Sequence, residues 1–342
     1  MTVIEAVAGP TQVPRTRTVG RAVARRLLVS LFVLWGAITA TFLVIHAGGG
    51  SPINAIIGPN QVSPEVRAQI ISDYKLDDPI VVQYVNYFWR LLHGDLGQSY
   101  ALRMPVSEAI AGQIWPTMQL VTVSAVLSLV VALVIGLATA NRPGLIRGPV
   151  TSLEVLTVAI PTFWLGILLL TVFSFNLNWF PSVGSDGIAS LVLPTIALSA
   201  TPAALLSQVL RHGVEQTLHE PFVVTARSRG IGQTAVLVRH VIRHAAMPVI
   251  TMWGLIVGTL ISGAVVVEQV FSREGLGRLT IAAVIGKDLP LILGVVIIAA
   301  TFYTIVNTLI DAAYGWLDPR LRDATSPVPS GPIDGRRADD DT

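Results

Sequence analysis

The 342 residues are 52% hydrophobic, with a mean hydropathy of +0.66, and carry 23 Lys and Arg against 21 Asp and Glu, or 13% charged in all. Soluble domains usually hold about 25% charged residues, so this chain is too poor in charge to cover a water-facing surface, and a net charge of +2 offers no field for nucleic acid. With no cysteine there is no disulfide framework, no thiolate metal site and no cysteine nucleophile.

Residues 1–18 mix Pro, Thr and Arg without periodicity and read as a disordered arm. Six apolar stretches then follow, each near the roughly 20 residues that a bilayer core demands of a helix. They are Leu27–Ile45, Thr117–Ala140, Val150–Phe175, Ser190–Leu210, Val249–Val267 and Leu291–Ile310, and the one charged residue among them is Glu154. That segregation predicts an all-α polytopic membrane protein with six transmembrane helices. Arg25 and Arg26 ahead of the first stretch also suit a secretory signal. The stretch exceeds the usual apolar length of such signals and lacks a small-x-small cleavage site, so an uncleaved helix is expected. If the N-terminus is cytoplasmic, sixteen of the 23 Lys and Arg fall inside and seven outside, which predicts both termini in the cytoplasm.

Between the first two spans lies a long outer segment. Ser63-Pro64-Glu65 offers a cap, a proline for the first turn and an acid beside the helix dipole, and Val66, Ile70 and Tyr74 repeat as one helical face. Asp78-Pro79 opens a second helix carrying Tyr84, Tyr87, Phe88 and Trp89 that stops at Gly94. Such aromatics suit either an interfacial helix on the lipid headgroups or a small subdomain packing its rings on itself. In the spans, Pro161, Pro194 and Pro202 are expected to bend or break their helices. Gly254, Gly258 and Ser262 form a small-residue face for close helix packing.

The inside segment between spans four and five is longer than a turn requires. Pro221 and Gly230 bracket a short helix with Arg227 and Arg229 in its last turn. Thr234 can cap a second helix running to Ala246, with Arg239, His240, Arg243 and His244 on one arc and Leu237, Val238, Val241, Ile242 and Ala245 opposite. A basic amphipathic helix there fits anionic headgroups or an acidic partner. Residues 323–342, with three prolines and Asp339-Asp340-Asp341, read as a disordered tail.

Enzyme chemistry is missing. There is no Gly-x4-Gly-Lys-[Ser/Thr] loop to hold phosphates, and His219-Glu220 is followed by Pro221 rather than by a second zinc ligand. His240 and His244 lack a carboxylate to complete a metal site. An ion-coupled carrier would need ionisable groups in mid-membrane. Glu154 lies four residues into its span and Asp311 at the cytoplasmic end of the last, so both are expected to reach the interface, and energy should enter from another protein.

From about Gly20 to Arg322 the chain resembles the B-type permease subunit of bacterial dipeptide, oligopeptide and nickel ATP-binding cassette importers. The stretches that carry the likeness are Leu76-Asp77-Asp78-Pro79, His93-Gly94-Asp95-Leu96-Gly97, Pro116-Thr117, Thr225-Ala226-Arg227 with Gly230, and Pro248 through Gly254 with Gly258-Thr259. Further along come Glu268 with Phe271-Ser272, Gly275-Leu276-Gly277-Arg278, Asp311-x-x-Tyr314-Gly315 and Asp318-Pro319-Arg320. The resemblance implies the type I importer fold, with the first span (27–45) and an outer helical segment in residues 19–112 and the permease core in 113–315. It implies a multi-pass protein of the bacterial inner membrane, paired with a homologous second permease, one or two ATPase subunits that bind the ATP and magnesium, and an outer binding protein that delivers peptide. Nickel chelates and glutathione are the alternative solutes, and no catalytic, cofactor or metal site is implied in this chain. The helix at 221–229 would be the coupling helix, meeting an ATPase through Pro221, Phe222, Thr225, Ala226, Arg227 and Gly230. The family's glutamate and Asp-Tyr positions there hold Val224 and Pro221-Phe222. Two outer motifs, where the binding protein would dock, also depart, at Gly49-Gly50-Ser51-Pro52 and Arg273-Glu274. A stand-alone carrier or a membrane enzyme would instead act without partners.

Overall fold

The computed structural model describes residues 28–317 except 30, 37, 41, 44–45, 47–51, 60, 100 and 238–240. The two expected disordered tails, Arg25 and Arg26, Gly49 to Ser51, Arg239 and His240, and Asp318-Pro319-Arg320 lie outside the described residues.

An apolar helix, α1, runs over Leu31–Ala40. The segment between α1 and the next long helix holds α2 (Pro52–Ile57), α3 (Pro64–Tyr74), α4 (Ile80–Leu92) and a small antiparallel hairpin of β1 (Gln98–Ser99) and β2 (Met104–Pro105). Then come α5 (Val106–Thr139), α6 (Gly144–Ala159), and α7 (Thr162–Leu169) running into a π-helical stretch, Leu170–Asn176. They are followed by α8 (Ala189–Leu218), α9 (Pro221–Ser228), α10 (Gln233–Val236), α11 (Ile242–Val270), α12 (Leu276–Ile285) and α13 (Leu289–Leu317). Among the described residues three helices, α5, α8 and α11, are long and apolar enough to cross a membrane, or four if α6 and α7 with its π stretch form one broken span.

The three span prolines behave differently. At Pro161 the chain turns by 106° between α6 and the α7 unit, because a proline both lacks a donor and pushes its predecessor out of the helical region; Ile160 is extended at ψ 127. Pro194 and Pro202 instead sit inside an unbroken α8, both buried, where packing from neighbouring helices holds the backbone through the missing hydrogen bonds. Beyond α9 the expected helix from Thr234 to Ala246 is helical at every described position, with Leu237 and Val241 in π-helical geometry and 238–240 outside the described residues. A four-residue α10 is followed by α11, which begins at Ile242. At the described positions the arcs read from the sequence persist, with Arg243 and His244 exposed and Val241 and Ala245 buried.

The segment between α1 and α5 starts as its capping residues dictate. Ser63 Oγ accepts from the Val66 amide, Pro64 is the first helical residue, and Ile70 is buried with Ile53, Ile56 and Ile57, while Val66 is exposed. Of the rings of α4, Trp89 is exposed, while Tyr84 and Tyr87 turn toward the first helix. They grip α1: Tyr84 Oη and Thr39 Oγ1 share a hydrogen bond of 2.8 Å, Phe42 lies 5.2 Å from Tyr84 and 5.9 Å from Tyr87, and His46 Nε2 is 2.8 Å from Gln83 Oε1. Arg90 ties α4 to α3 by lying 4.1 Å over the Tyr74 ring while it bonds Asp95 at 2.7 Å. Val81, Val85, Trp89 and Leu92 remain on the exposed face. The hairpin is docked on α13 through Ser99 Oγ, which donates to Asp288 Oδ2 at 2.5 Å, while Asp288 Oδ1 accepts from the Leu291 amide at the start of α13.

At the centre, α8 is the most enclosed of the three long helices: 67% of its most apolar window is buried, against 39% for α5 and 33% for α11. Leu206, Leu210 and Val214 of α8 pack with Ala132 of α5 and Ala245 and Val249 of α11. The α5–α8 contact is set by Gly136, where a Cβ would meet Leu210 Cδ2 at 2.9 Å and the Ser207 carbonyl at 3.1 Å. Gly136→Val should therefore overpack this crossing and cost about 1–3 kcal/mol, read as a lower thermal unfolding midpoint of the purified protein. Gly148→Val, in open space, should leave the midpoint close to that of the parent.

Candidate functional site

A short exposed helix, seated on the bundle by one side chain, is the most conspicuous surface feature. Glu220 caps α9 with extended backbone and Pro221 takes the first helical position, where the missing amide costs nothing. Val223 is fully buried among Leu210, Val214, Val236 and Val241, and Ala226 is half-buried beside it. The Phe222 ring lies 5.2 Å from His244 of α11. Thr225 and Ser228 return their hydroxyls to the helix, donating to the carbonyls of Pro221 and Val224. The helix stops because Gly230 adopts φ +80°, with its amide bonded to the Arg227 carbonyl and the Ile231 amide to the Ala226 carbonyl, a paired closure that satisfies the last carbonyls. Exposed on the outer side are Pro221, Phe222, Val224 (60% exposed), Thr225, Arg227 and Arg229. The expected contact residues thus share one protruding element, apolar toward its start and cationic toward its end.

The charge in the spans is not where the sequence placed it. Glu154, expected at the interface, is 4% exposed and paired with Arg211 of α8, itself 3% exposed. Ser207 Oγ donates to Glu154 Oε1 at 2.7 Å and Arg211 Nη1 to Thr151 Oγ1 at 2.6 Å. Arg211 lies just past the apolar stretch Ser190–Leu210, in a helix α8 that runs eight residues beyond it to Leu218. Of the small-residue face, Gly254 and Gly258 are buried and Ser262 is exposed.

A second buried network joins three of the stretches that carried the resemblance. Glu268 at the end of α11 accepts Thr117 Oγ1 at 2.6 Å and the Gly277 amide at 2.7 Å, while Thr117 Oγ1 in turn accepts the Leu276 amide at 2.8 Å. A Cβ on Gly275 would run into the Glu268 carboxylate, and one on Gly277 into the backbone of Val265. The two glycines are therefore what lets α12 close over this carboxylate. Of Arg273-Glu274, expected at an outer docking surface, only Glu274 is exposed. Arg273 is 1% exposed and donates to Gln119 Oε1 at 2.9 Å. Burial pulls its guanidinium below the ordinary range, with the charges of Glu268 and Glu274 opposing. Glycines flanking Leu276 after a lone glutamate hinted at a turn around that acid, but Thr117, 151 residues away, left no trace in local sequence.

Long apolar helices around a buried, internally paired set of charges define a membrane protein with several spans. Residues 132–323 match the family of binding-protein-dependent transport system inner membrane components. The oligopeptide transport system permease protein AppB of Bacillus subtilis is 34% identical over 311 residues, covering 87% of this chain and 98% of AppB. The glutathione transport system permease protein GsiC of Salmonella typhimurium is 34% identical over 307 residues, covering 88% of this chain and 98% of GsiC. A chain of the MetNI methionine ABC transporter, crystallised in inward-facing conformations, shares the fold with a TM-score of 0.52 over 61% of this chain and 95% of that one, at 15% identity. The chain belongs to the binding-protein-dependent transport system inner membrane component family. It is an inner-membrane permease of an ATP-binding cassette importer; ATP hydrolysis belongs to a separate subunit, and the chain itself carries no cofactor.

Glu268→Ala should leave the Gly277 amide and the Thr117 hydroxyl without their acceptor, a loss of about 1–3 kcal/mol. The check is limited proteolysis: cleavage between residues 271 and 288 should accelerate while cleavage elsewhere keeps its rate.

Proposed function

We propose that the chain is one of two homologous permeases that together line a path for peptides released by an outer binding protein. Six spans with both termini in the cytoplasm fit the six apolar stretches and the Lys and Arg asymmetry; α13, at 29 residues, is long enough for the sixth. Residues 1–18 and 323–342 are then cytoplasmic tails, residues 19–112 the first span with its outer helical segment, and 113–315 the permease core. Oligopeptide in the name of AppB and glutathione in that of GsiC point to one solute class, since glutathione is itself a short peptide.

The observation that carries the coupling assignment is the exposure of α9: Val223 anchors it while Pro221, Thr225 and Arg227 are exposed and Phe222, beside His244 of α11, is partly so. In this reading α9 docks in a cleft of an ATPase subunit, one of two chains or of a fused pair. ATP draws the ATPase halves together and pulls the docked helices with them. The permease helices rock from inward- to outward-facing, the binding protein discharges its peptide, and hydrolysis resets the cycle. Packing faces such as that of Gly254 and Gly258 let helices slide at close range during the change.

Two experiments test this. Tagged chain extracted from membranes should bring with it a second permease and ATPase subunits; recovery of the chain alone, still active in uptake, refutes the assembly. Gly230→Pro cannot adopt φ +80° and loses the amide bonded to Arg227, and Ala226→Phe would lift the helix from its seat. Each should cut peptide uptake at least tenfold while ATP hydrolysis persists. Normal uptake by either would show that α9 is not the coupling element.

A further inference from the structure

How α6 is held to the bundle is unusual. Its described residues include Leu145, Ile146, Leu153, Val155 and Leu156, all exposed, and the single side chain it buries is the charged Glu154. Among the described residues its side-chain polar contacts with other helices run to α8 in antiparallel order: Arg147 to Glu215 at 2.9 Å, Thr151 to Arg211 at 2.6 Å, and Glu154 to both Arg211 and Ser207. The outermost rung is partly exposed and therefore weak. The inner one is enclosed, with Glu154 Oε2 and Arg211 Nε left without hydrogen-bond partners.

Such a pair is a costly way to fasten two helices. Each ion loses several kcal/mol of hydration, and well-packed apolar residues of similar size often hold as well or better. What apolar contacts do not supply is registry. Sliding α6 along α8 by one turn, about 5.4 Å, would part the charges and leave both unpaired in an apolar setting, whereas leucines would find new partners.

The position of the pair matters as much as its chemistry. Arg211 lies seven residues, roughly 10 Å of helix, before the end of α8 at Leu218, and α9 begins three residues later at Pro221. The far end of α6 leads into the 106° turn at Pro161. We propose that Glu154 and Arg211 are positioning residues that lock α6 to α8 in one register, so that a displacement of α9 reaches α6 and the turn beyond it as a rigid-body movement. The inference rests on α9 being the coupling helix.

The test uses the complete importer in lipid nanodiscs. The chain has no native cysteine, so in an importer whose partner subunits have been cleared of cysteine, Leu145→Cys and His219→Cys, both at exposed positions, accept a unique pair of spin labels that report the α6–α8 register. With the native ion pair the interlabel distance should stay within about 2 Å on addition of ATP and vanadate. In Glu154→Leu/Arg211→Met, which removes both charges and avoids stranding one, it should shift or broaden by about one helical turn, and solute moved per ATP should fall at least fivefold. The exchanged pair, Glu154→Arg/Arg211→Glu, should recover much of that loss. An unchanged distance in the apolar variant overturns the proposal, as does a native distance that moves with ATP. Failure of the apolar variant to assemble also overturns it, because the pair would then hold the fold rather than its register. Gly230→Pro in the same preparation separates the two readings: if it uncouples while the apolar variant does not, only the register role fails; if it transports normally, the role of α9 fails and the route through α8 with it.

Discussion

Inside a bilayer, an apolar side chain gains no hydrophobic free energy by leaving lipid for a neighbouring helix. The helices of this permease must therefore be held by close approach and by polar contacts, and α8 collects both. Gly136 lets α5 reach its backbone, Gly213 lies against Ala245 of α11 with a prospective Cβ contact at 3.4 Å, and Leu198 presses where Gly263 has no side chain. Remove that intimacy and α5, α8 and α11 become three helices that lipid could separate.

Charge follows the same logic. Glu154, Arg211 and Glu268 are all enclosed, and each has its partner on another element. None is a solitary ionisable group facing a path, which is the arrangement an ion-coupled carrier needs. ATP hydrolysis belongs to a separate subunit, and in the proposed reading its surface of entry is α9, a helix of eight residues held by Val223 and closed by Gly230, with Arg227 and Arg229 exposed.

Local rules made much of this legible. The cap at Ser63, the first-turn proline at Pro64, the bounds of α9 at Pro221 and Gly230, and the break at Pro161 are consequences of backbone chemistry within a few residues, and the structure places each where the sequence predicts it. Local rules failed where packing decided. Pro202 was expected to disturb α8, yet enclosure keeps that helix whole. Of the aromatics of α4, Tyr84 meets Thr39 across 45 positions of chain, a pairing that no local pattern marks, while Trp89 stays exposed.

By itself, then, the sequence determined the membrane class, the run of apolar helices and the short protruding helix, because hydropathy and capping act within one or two turns. Only the tertiary structure decided that Glu154 meets Arg211 and that Glu268 meets Thr117 and Gly277. Those pairings bridge 57, 151 and 9 positions, and a charge in a chain carries no mark of its partner until two helices bring them into the same dry space.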